Sequence, residues 1–359
     1  MPVFHSRTTG LQGGDSMSES KIRNMEEFAS VSGISRPTLS KYFNDPESVR
    51  PTTRKKIESA LEQYDFRPNI YAMNQNRRLT KNIGIVVPYL ADPFFAEIAR
   101  IIENLVIEGG FRPILLSSHG GTRQEIENLD SLRSIRPAGV LLAPLGRRSD
   151  VSAIESFCAE VPTVLFDNSI GDLGEAFFGL NNPQSVGLMV EYLCSTGEAP
   201  VFFEMRTPTN PNAYKRRGAY LATMEKLGQT PQLIQIEGET WDFEAIGYEG
   251  GLKTIRDRQL GTNTVLCSND RLAIGFLAAA YECGLRVGRG PGTALRVAGH
   301  DDHPYARFTC PPLTTVAQDY AAIATRSVEA ILGLIESGER RDSRDTVLFA
   351  GTLIERESA

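Results

Sequence analysis

Apolar residues follow two different patterns along this chain of 359 residues. From about residue 24 to 64 they recur at helical spacing in short pieces: Met25, Phe28, Ala29 and Val31–Ile34, then Leu39 and Phe43, then Ile57, Leu61 and Tyr64 at i, i+4 and i+7. The polar residues between them supply starts and stops. Asn24-Met25-Glu26-Glu27 has the form of a capping box, and Gly33 can take the left-handed conformation that ends a helix. Ser35 can cap a second helix over about 36–43, with Pro37 tolerated in its first turn, and a third helix starts near Pro51. Two short helices joined by a glycine turn and braced by a third predict a helix-turn-helix unit. Its second helix turns Leu39 and Phe43 inward and leaves Arg36, Thr38, Ser40 and Lys41 on or near the outer face.

Beyond residue 82 the pattern changes to short apolar runs separated by amphipathic stretches. Strands are predicted at Ile83–Pro88, Pro113–Ser117, Gly139–Ala143, Thr163–Asp167 and Phe177–Leu180. Five more are predicted at Pro200–Met205, Leu233–Ile236, Thr264–Ser268, Ala294–Ala298 and Thr314–Ala317. Helices fall between most of them, among them Phe94–Glu108, Pro183–Ser195, Tyr214–Leu227, Arg271–Cys283 and Tyr320–Glu336. Such alternation predicts parallel sheet with helices on both faces. About ten strands exceed one doubly wound sheet, so two side-by-side lobes are expected. Residues 68–81 read as a connector in which Pro68 blocks upstream helix and Asn69 can cap a short helix through about Asn76.

Charge sharpens this division. The chain is −6 overall, from 38 Lys+Arg and 44 Asp+Glu, yet residues 21–81 hold twelve basic and seven acidic side chains, a local +5. A small basic unit ahead of an acidic body suggests a nucleic-acid reader, although a solvated basic surface gives the same count. The apolar runs fall short of the roughly 20 residues a membrane span needs, and residues 1–16 lack a signal-peptide core, so no membrane partner is expected. Five scattered cysteines with no C-x-x-C pair fit thiols in a reducing cytoplasm. No G-x-G-x-x-G or P-loop string occurs, and neither G-x-S-x-G nor H-E-x-x-H is present, so neither an enzyme nor a cofactor is expected.

Here the residues carry a resemblance. The run Phe28-Ala29-Ser30-Val31-Ser32-Gly33-Ile34-Ser35-Arg36-Pro37-Thr38-Leu39-Ser40-Lys41-Tyr42-Phe43-Asn44 resembles the DNA-binding signature of the LacI/GalR family of bacterial transcription regulators. Val49, Thr53-Arg54, Ile57 and Phe66-Arg67-Pro68-Asn69 follow at that family's spacing. The likeness continues through Ile83–Pro88, Asp92-Pro93-Phe94-Phe95, Val161-Pro162 to Asp167, Cys267–Gly275, Val297–Asp302, Pro311–Val316 and Leu353–Ser358. It implies a DNA-reading head over 21–67 after an extension at 1–20, a hinge over 68–81, and a two-lobed body over 82–359 similar to periplasmic sugar-binding proteins. Lobe 1 is expected at about 82–175 and 317–341, and lobe 2 at about 176–313 and 342–359. The implied partners are a near-palindromic double-stranded operator, a second copy of the chain, and a small effector of the carbohydrate class in the cleft between lobes.

Individual residues take roles on that basis. Ser35 is expected to contact DNA, Arg36, Pro37 and Lys41 are expected at base edges, and Thr38, Ser40, Tyr42 and Arg50 nearer phosphate. In the hinge, Asn69 and Ala72 agree with the family, whereas Gln75 stands where the family inserts a leucine into the minor groove. Gln75 can read a groove edge by hydrogen bonding, and Met73 is a substitute apolar wedge; a flexible polar linker is the alternative. In the body, Asp167, Asn269 and Asp301 fall where strands end, the usual place for ligands in parallel sheets. With Asp92 and the aromatic residues Tyr89, Phe94, Phe95 and Trp241 they suit a polyol. The alternative is that Asp167 and Asp301 are only capping or turn residues and the aromatic residues only core. The family's effector-binding arginine, counted three residues before Gly218, is replaced by Lys215; either Lys215 binds a different pattern of hydroxyls or acid groups, or a neighbouring arginine, Arg216 or Arg217, takes over. His300-Asp301-Asp302-His303 offers metal-ligand atoms, but the strand end already accounts for Asp301, so no metal is expected. Two other classes remain, a plain solute-binding protein and a ligand-independent DNA-binding protein; residues 21–67 oppose the first, and the strand-end polar set opposes the second.

Overall fold

The computed structural model describes residues 22, 24–44, 46–66, 80–340 and 343–359. The chain divides into two units, Met1–Arg78 and Leu79–Ala359.

In the first unit α1 (Met25–Ser32), α2 (Arg36–Asn44) and α3 (Pro51–Gln63) enclose a small core. The Asn24 side chain accepts the Glu27 amide at 2.9 Å, and its own amide donates to the Glu27 carboxylate at 3.2 Å. The capping pair is thus closed by the Glu27 amide and by a bond between the two side chains. Gly33 adopts φ 65°, which is cheap only for glycine, and so lets α2 turn away from α1. Phe28, Leu39, Val49, Ile57, Ala60 and Phe66 are buried together. The Phe28 and Phe66 rings stack 4.4 Å apart.

The second unit is built on two parallel sheets. The first contains β1 (Asn82–Val87), β2 (Arg112–Ser117), β3 (Gly139–Leu142), β4 (Thr163–Phe166), β5 (Ala176–Leu180) and β11 (Asp345–Phe349). Its order is β11-β5-β4-β3-β1-β2. The helices of this lobe are α4 (Pro93–Glu108), α5 (Thr122–Ile135), α6 (Val151–Glu160) and α11 (Tyr320–Ser337). The second sheet has the order β7-β6-β8-β9, from β6 (Val201–Met205), β7 (Leu233–Ile236), β8 (Thr264–Cys267) and β9 (Arg296–Ala298). It carries α7 (Asn182–Thr196), α8 (Asn212–Lys226), α9 (Phe243–Arg256) and α10 (Asp270–Glu282). A short antiparallel pair, β10 (Thr315–Ala317) with β12 (Thr352–Ile354), lies where the chain passes between lobes.

This topology corrects the lobe boundaries read from the sequence. Residues 176–180 and 345–349 belong to lobe 1, because β11 pairs in parallel with β5 from Asp345↔Ala176 to Phe349↔Leu180. The β11 strand alternates half-buried and exposed positions at the sheet edge, so it lacks the apolar run that marked the inner strands. The chain therefore crosses between lobes after β5, after β10 and after β11.

In lobe 2 the helices α9 and α10 approach closely at two glycines. A Cβ on Gly247 would collide with the Leu272 backbone, and one on Gly275 with the Glu244 carbonyl and the Tyr248 amide. That contact holds the first turns of both helices side by side at the cleft.

Candidate functional site

The crossing points leave a cleft in the second unit, entered by strand ends from both lobes. Asp167 follows β4 with φ 60°, Asn269 follows β8, and Asp301 follows β9 with φ 123°. The strand ends aim these polar groups into one cavity, which Asp92, Phe94, Asn210, Arg216, Phe243 and Arg271 also line, with His303, Gln318 and Tyr320. The cavity holds only about 20 Å³, space for roughly one water. Its walls are held to one another by hydrogen bonds.

From lobe 2, Arg216 donates to Asp301 through both terminal nitrogens, at 2.5 and 3.3 Å, and also to the Ser268 carbonyl at 2.8 Å. Its Nε donates to Asn182 at 3.1 Å, so every guanidinium nitrogen makes a bond and the side chain is almost wholly buried. Asp301 further accepts from Gln318 at 2.6 Å and lies 3.2 Å from His300 Nδ1. Burial alone would raise the Asp301 carboxyl, but the Arg216 charge and the His300 and Arg216 hydrogen bonds outweigh it and hold the group at about 2. The same burial, with Arg216 beside it, lowers His300 to about 4, so the ring is neutral near pH 7.

From lobe 1, Asp167 accepts from Asn212 Nδ2 at 2.9 Å. Burial pushes this carboxyl up to about 7, despite the nearby charges of Lys215 and Arg216. Asp92 caps α4 by accepting the Phe94 amide at 3.0 Å, and its other oxygen accepts from Arg271 at 3.1 Å. Arg271 also makes two bonds to Glu244, at 2.8 and 2.6 Å, and so ties lobe 2 to lobe 1. Asn269 caps α10 by accepting the Leu272 amide at 2.8 Å.

Asp92, Phe94, Asp167, Asn269 and Asp301 therefore share one cavity, whereas four other expected cleft residues are placed differently. Lys215 does not line it. The α8 face that enters the cleft carries Asn212 and Arg216, one helical turn apart, and Lys215 turns instead to Asn168, whose side-chain oxygen it reaches at 3.0 Å. Counting back from Gly218 was off by one position. Phe95 is core, only 1% exposed. Tyr89 and Trp241 stack on each other at 5.4 Å, joining lobe 1 to lobe 2 one layer behind Phe243. Asn210, Arg216, Phe243, Arg271, Gln318 and Tyr320 were not singled out from the sequence as cleft residues. Arg271 had a readable signal, its place just after the Asn269 helix cap.

The His300–His303 segment does not converge on a metal. Asp302 pairs with Arg356 at 2.7 Å, and His303 Nδ1 accepts the Tyr305 amide at 3.1 Å. No cluster of three such ligands occurs among the described residues. None of the described helices is long and apolar enough to cross a membrane.

In the first unit Ser35, Arg36, Pro37, Ser40, Lys41 and Arg50 are exposed, and Thr38 and Tyr42 are half-buried. Arg36 pairs with Glu26 at 2.9 Å, an ion pair open to solvent. Ser35 and Thr38 hydroxyls bond at 2.8 Å and brace the start of α2. Tyr42 reaches the Glu58 carboxylate at 3.5 Å, which ties α2 to α3. Asn69, Ala72 and Gln75 lie outside the described residues, as does the alternative wedge Met73.

A helix-turn-helix head and a two-lobed body with a polar cleft define a ligand-responsive DNA-binding regulator. Residues 24–69 match the model of bacterial regulatory proteins of the lacI family, and residues 190–359 match that of the periplasmic binding protein-like domain. The chain belongs to the LacI family and is a transcription regulator. It is similar to the ribose operon repressor of Escherichia coli (strain K12), 25% identical over 94% of this chain and all of that protein. Among solved structures it resembles the lac repressor dimer bound to operator and an anti-inducer, at TM-score 0.79 and 23% identity over 94% of this chain and 99% of the other. It also resembles a LacI-family regulator from Enterococcus faecium with bound ribose, at TM-score 0.64 and 20% identity over 77% of this chain and 98% of the other.

Proposed function

We propose that the cleft, closed in this structure around space for about one water, binds a neutral sugar when its lobes part, and that its occupancy sets how tightly a homodimer of this chain holds a near-palindromic operator. The charge of the cavity wall carries the reading. Asp92, Asp167 and Asp301 face Arg216 and Arg271, a balance of −1 if all are ionised. Asp167, raised to about 7, is partly protonated near neutrality, which brings the wall closer to zero. A sugar acid or phosphate would meet three carboxylates there, whereas a neutral polyol gives each carboxylate a hydroxyl donor and each guanidinium a hydroxyl acceptor. Phe94 and Phe243 supply apolar faces for the ring. The ribose named for the Escherichia coli relative and for the Enterococcus faecium structure is of this chemical kind.

Ser35, the exposed and half-buried polar residues of α2, Pro37 and Arg50 are the DNA-contacting set in this reading. Arg36, Pro37 and Lys41 read base edges, while Ser35, Thr38, Ser40, Tyr42 and Arg50 position the backbone. In the hinge Asn69, Ala72 and Gln75 contact the minor groove. One helix reads only a few base pairs, so two copies on paired half-sites are needed for specificity. The ligand acts through its difference in affinity between the two lobe arrangements.

Thermal-shift titration with neutral pentoses and hexoses tests the ligand class, with the matching sugar acids and phosphates as competitors. A neutral sugar should raise Tm and change the retention of a genomic operator fragment. Stronger binding by the phosphates, or operator retention indifferent to every sugar that binds, would refute the reading.

A further inference from the structure

Helix α8 has two lined faces. Arg216 faces the cleft, while Lys215, Gly218 and Ala222 border a separate cavity of about 670 Å³. The opposite wall comes from lobe 1, where Phe177 and Leu180 of β5 stand beside Leu348 of β11. Two cations meet over one ring in this space. The Arg344 guanidinium carbon lies 5.4 Å from the Phe177 centroid and Lys215 Nζ lies 6.0 Å from it. Arg344 donates through Nη1 to the Gly171 carbonyl, but its Nε and Nη2 are buried with no hydrogen-bond partner among the described residues. Lys215 donates to the neutral side chain of Asn168. Among the described residues Asp172 is the single carboxylate of the lining, against the cations Lys215 and Arg344.

Gly218 adds an independent indication. A glycine inside a helix loses stability relative to alanine, and close packing often explains why one is present. Here a Cβ would meet nothing within 4 Å, so the position borders open space that only a larger side chain would fill.

We propose that this cavity is a second ligand site, for a small organic monocarboxylate with an apolar body, and that binding there is felt in the cleft through α8. The carboxylate pairs with the Lys215 ammonium and lies within the field of the Arg344 guanidinium, the two cations that meet over Phe177. The apolar body lies against Phe177, Leu180 and Leu348. Because both lobes supply walls, a ligand here has different contacts when the lobes move, which is the requirement for coupling.

Calorimetric titration of the full-length protein with benzoate and hexanoate tests the site, with benzamide and inorganic phosphate as controls. At least one acid should bind, and benzamide and phosphate should bind more weakly by about tenfold or more. Gly218→Leu should abolish acid binding by filling the space, and Arg344→Gln should weaken it by about tenfold, with both variants keeping a cooperative melt. Saturating acid should also change the emission of Trp241, which bridges the lobes at a distance from this cavity. No heat from either acid, equal binding of benzamide, or undiminished binding by Gly218→Leu would overturn the site. Unchanged Trp241 emission in the presence of bound acid would overturn the coupling. These titrations use neither sugar nor DNA, so their failure leaves the cleft reading standing.

Discussion

Replacing Asp167 by asparagine should remove a pH dependence whose size follows from the site. The side chain sits at φ 60°, a conformation asparagine tolerates, and an amide oxygen there can still accept from Asn212, now at 2.9 Å from the carboxylate. Geometry is therefore retained while the titration is lost. In the folded protein burial raises this carboxyl from 3.8 to about 7. A raised acid means the native state binds the proton more tightly than the unfolded state. Its contribution is full below the unfolded value near 3.8 and is lost as pH rises toward 7. At about pH 5 the native group is still protonated and the unfolded one mostly ionised, a difference of roughly two pH units, or about 2.7 kcal/mol. By about pH 8 the contribution has vanished.

The assay compares wild type and Asp167→Asn, without ligand, at these two pH values. Other buried groups titrate in the same range: Asp270, raised by burial to about 7, acts in the same direction, and His300, lowered to about 4, acts oppositely. They are present in both proteins and cancel in the difference. The stability gap should shift by about 2–3 kcal/mol in favour of the variant between about pH 5 and 8, on the order of 5 °C in Tm. At about pH 8 the variant should also bind the sugar more weakly, by about tenfold or more, because a charge-assisted bond is replaced by a neutral one. A stability gap that is the same at both pH values would refute the argument that burial, not the neighbouring cations, dominates this carboxyl.

Other perturbations follow from the same structure. Tyr89→Ala removes the ring stacked on Trp241 at 5.4 Å; an aromatic pair contributes about 0.5–1.5 kcal/mol, so sugar affinity should fall several-fold and the ligand-free Trp241 emission should shift to the red. Emission identical to wild type would place that stack outside the closing contact. Gly33→Ala adds a Cβ that meets nothing within 4 Å, so only φ 65° opposes it; the cost of about 1 kcal/mol should speed amide exchange across α1 and α2 about fivefold, with Gly33→Asn milder. Lys41→Ala removes an exposed side chain; operator binding should weaken by about 1–3 kcal/mol and one base preference should relax, without change in the melt. A uniform loss at every operator sequence would assign Lys41 to phosphate instead.

What the sequence could show about the cleft depended on how each residue is presented. Asp167, Asn269 and Asp301 were legible because a parallel strand points its end toward the ligand side, whatever the surrounding packing. Asp92 and Asn269 cap helices in the structure, and both keep those bonds while lining the cavity. Residues supplied by helix faces were harder, because helix phase changes by about 100° per position and an error of one residue selects another surface. Counting from Gly218 selected Lys215, while the structure turns Arg216 inward with Asn212. The aromatic residues were ambiguous for a different reason: Phe94 and Phe95 are adjacent in a helix, and only lobe packing makes one a wall and the other core. The placement of β11 in lobe 1 was hidden by distance along the chain, since its partner β5 ends about 165 residues earlier and its own pattern is that of an exposed edge. Lys215 and Arg216 show the consequence for function. Neighbours on one helix serve two cavities, so a substitution designed by alignment for the cleft would instead alter the cation pair over Phe177.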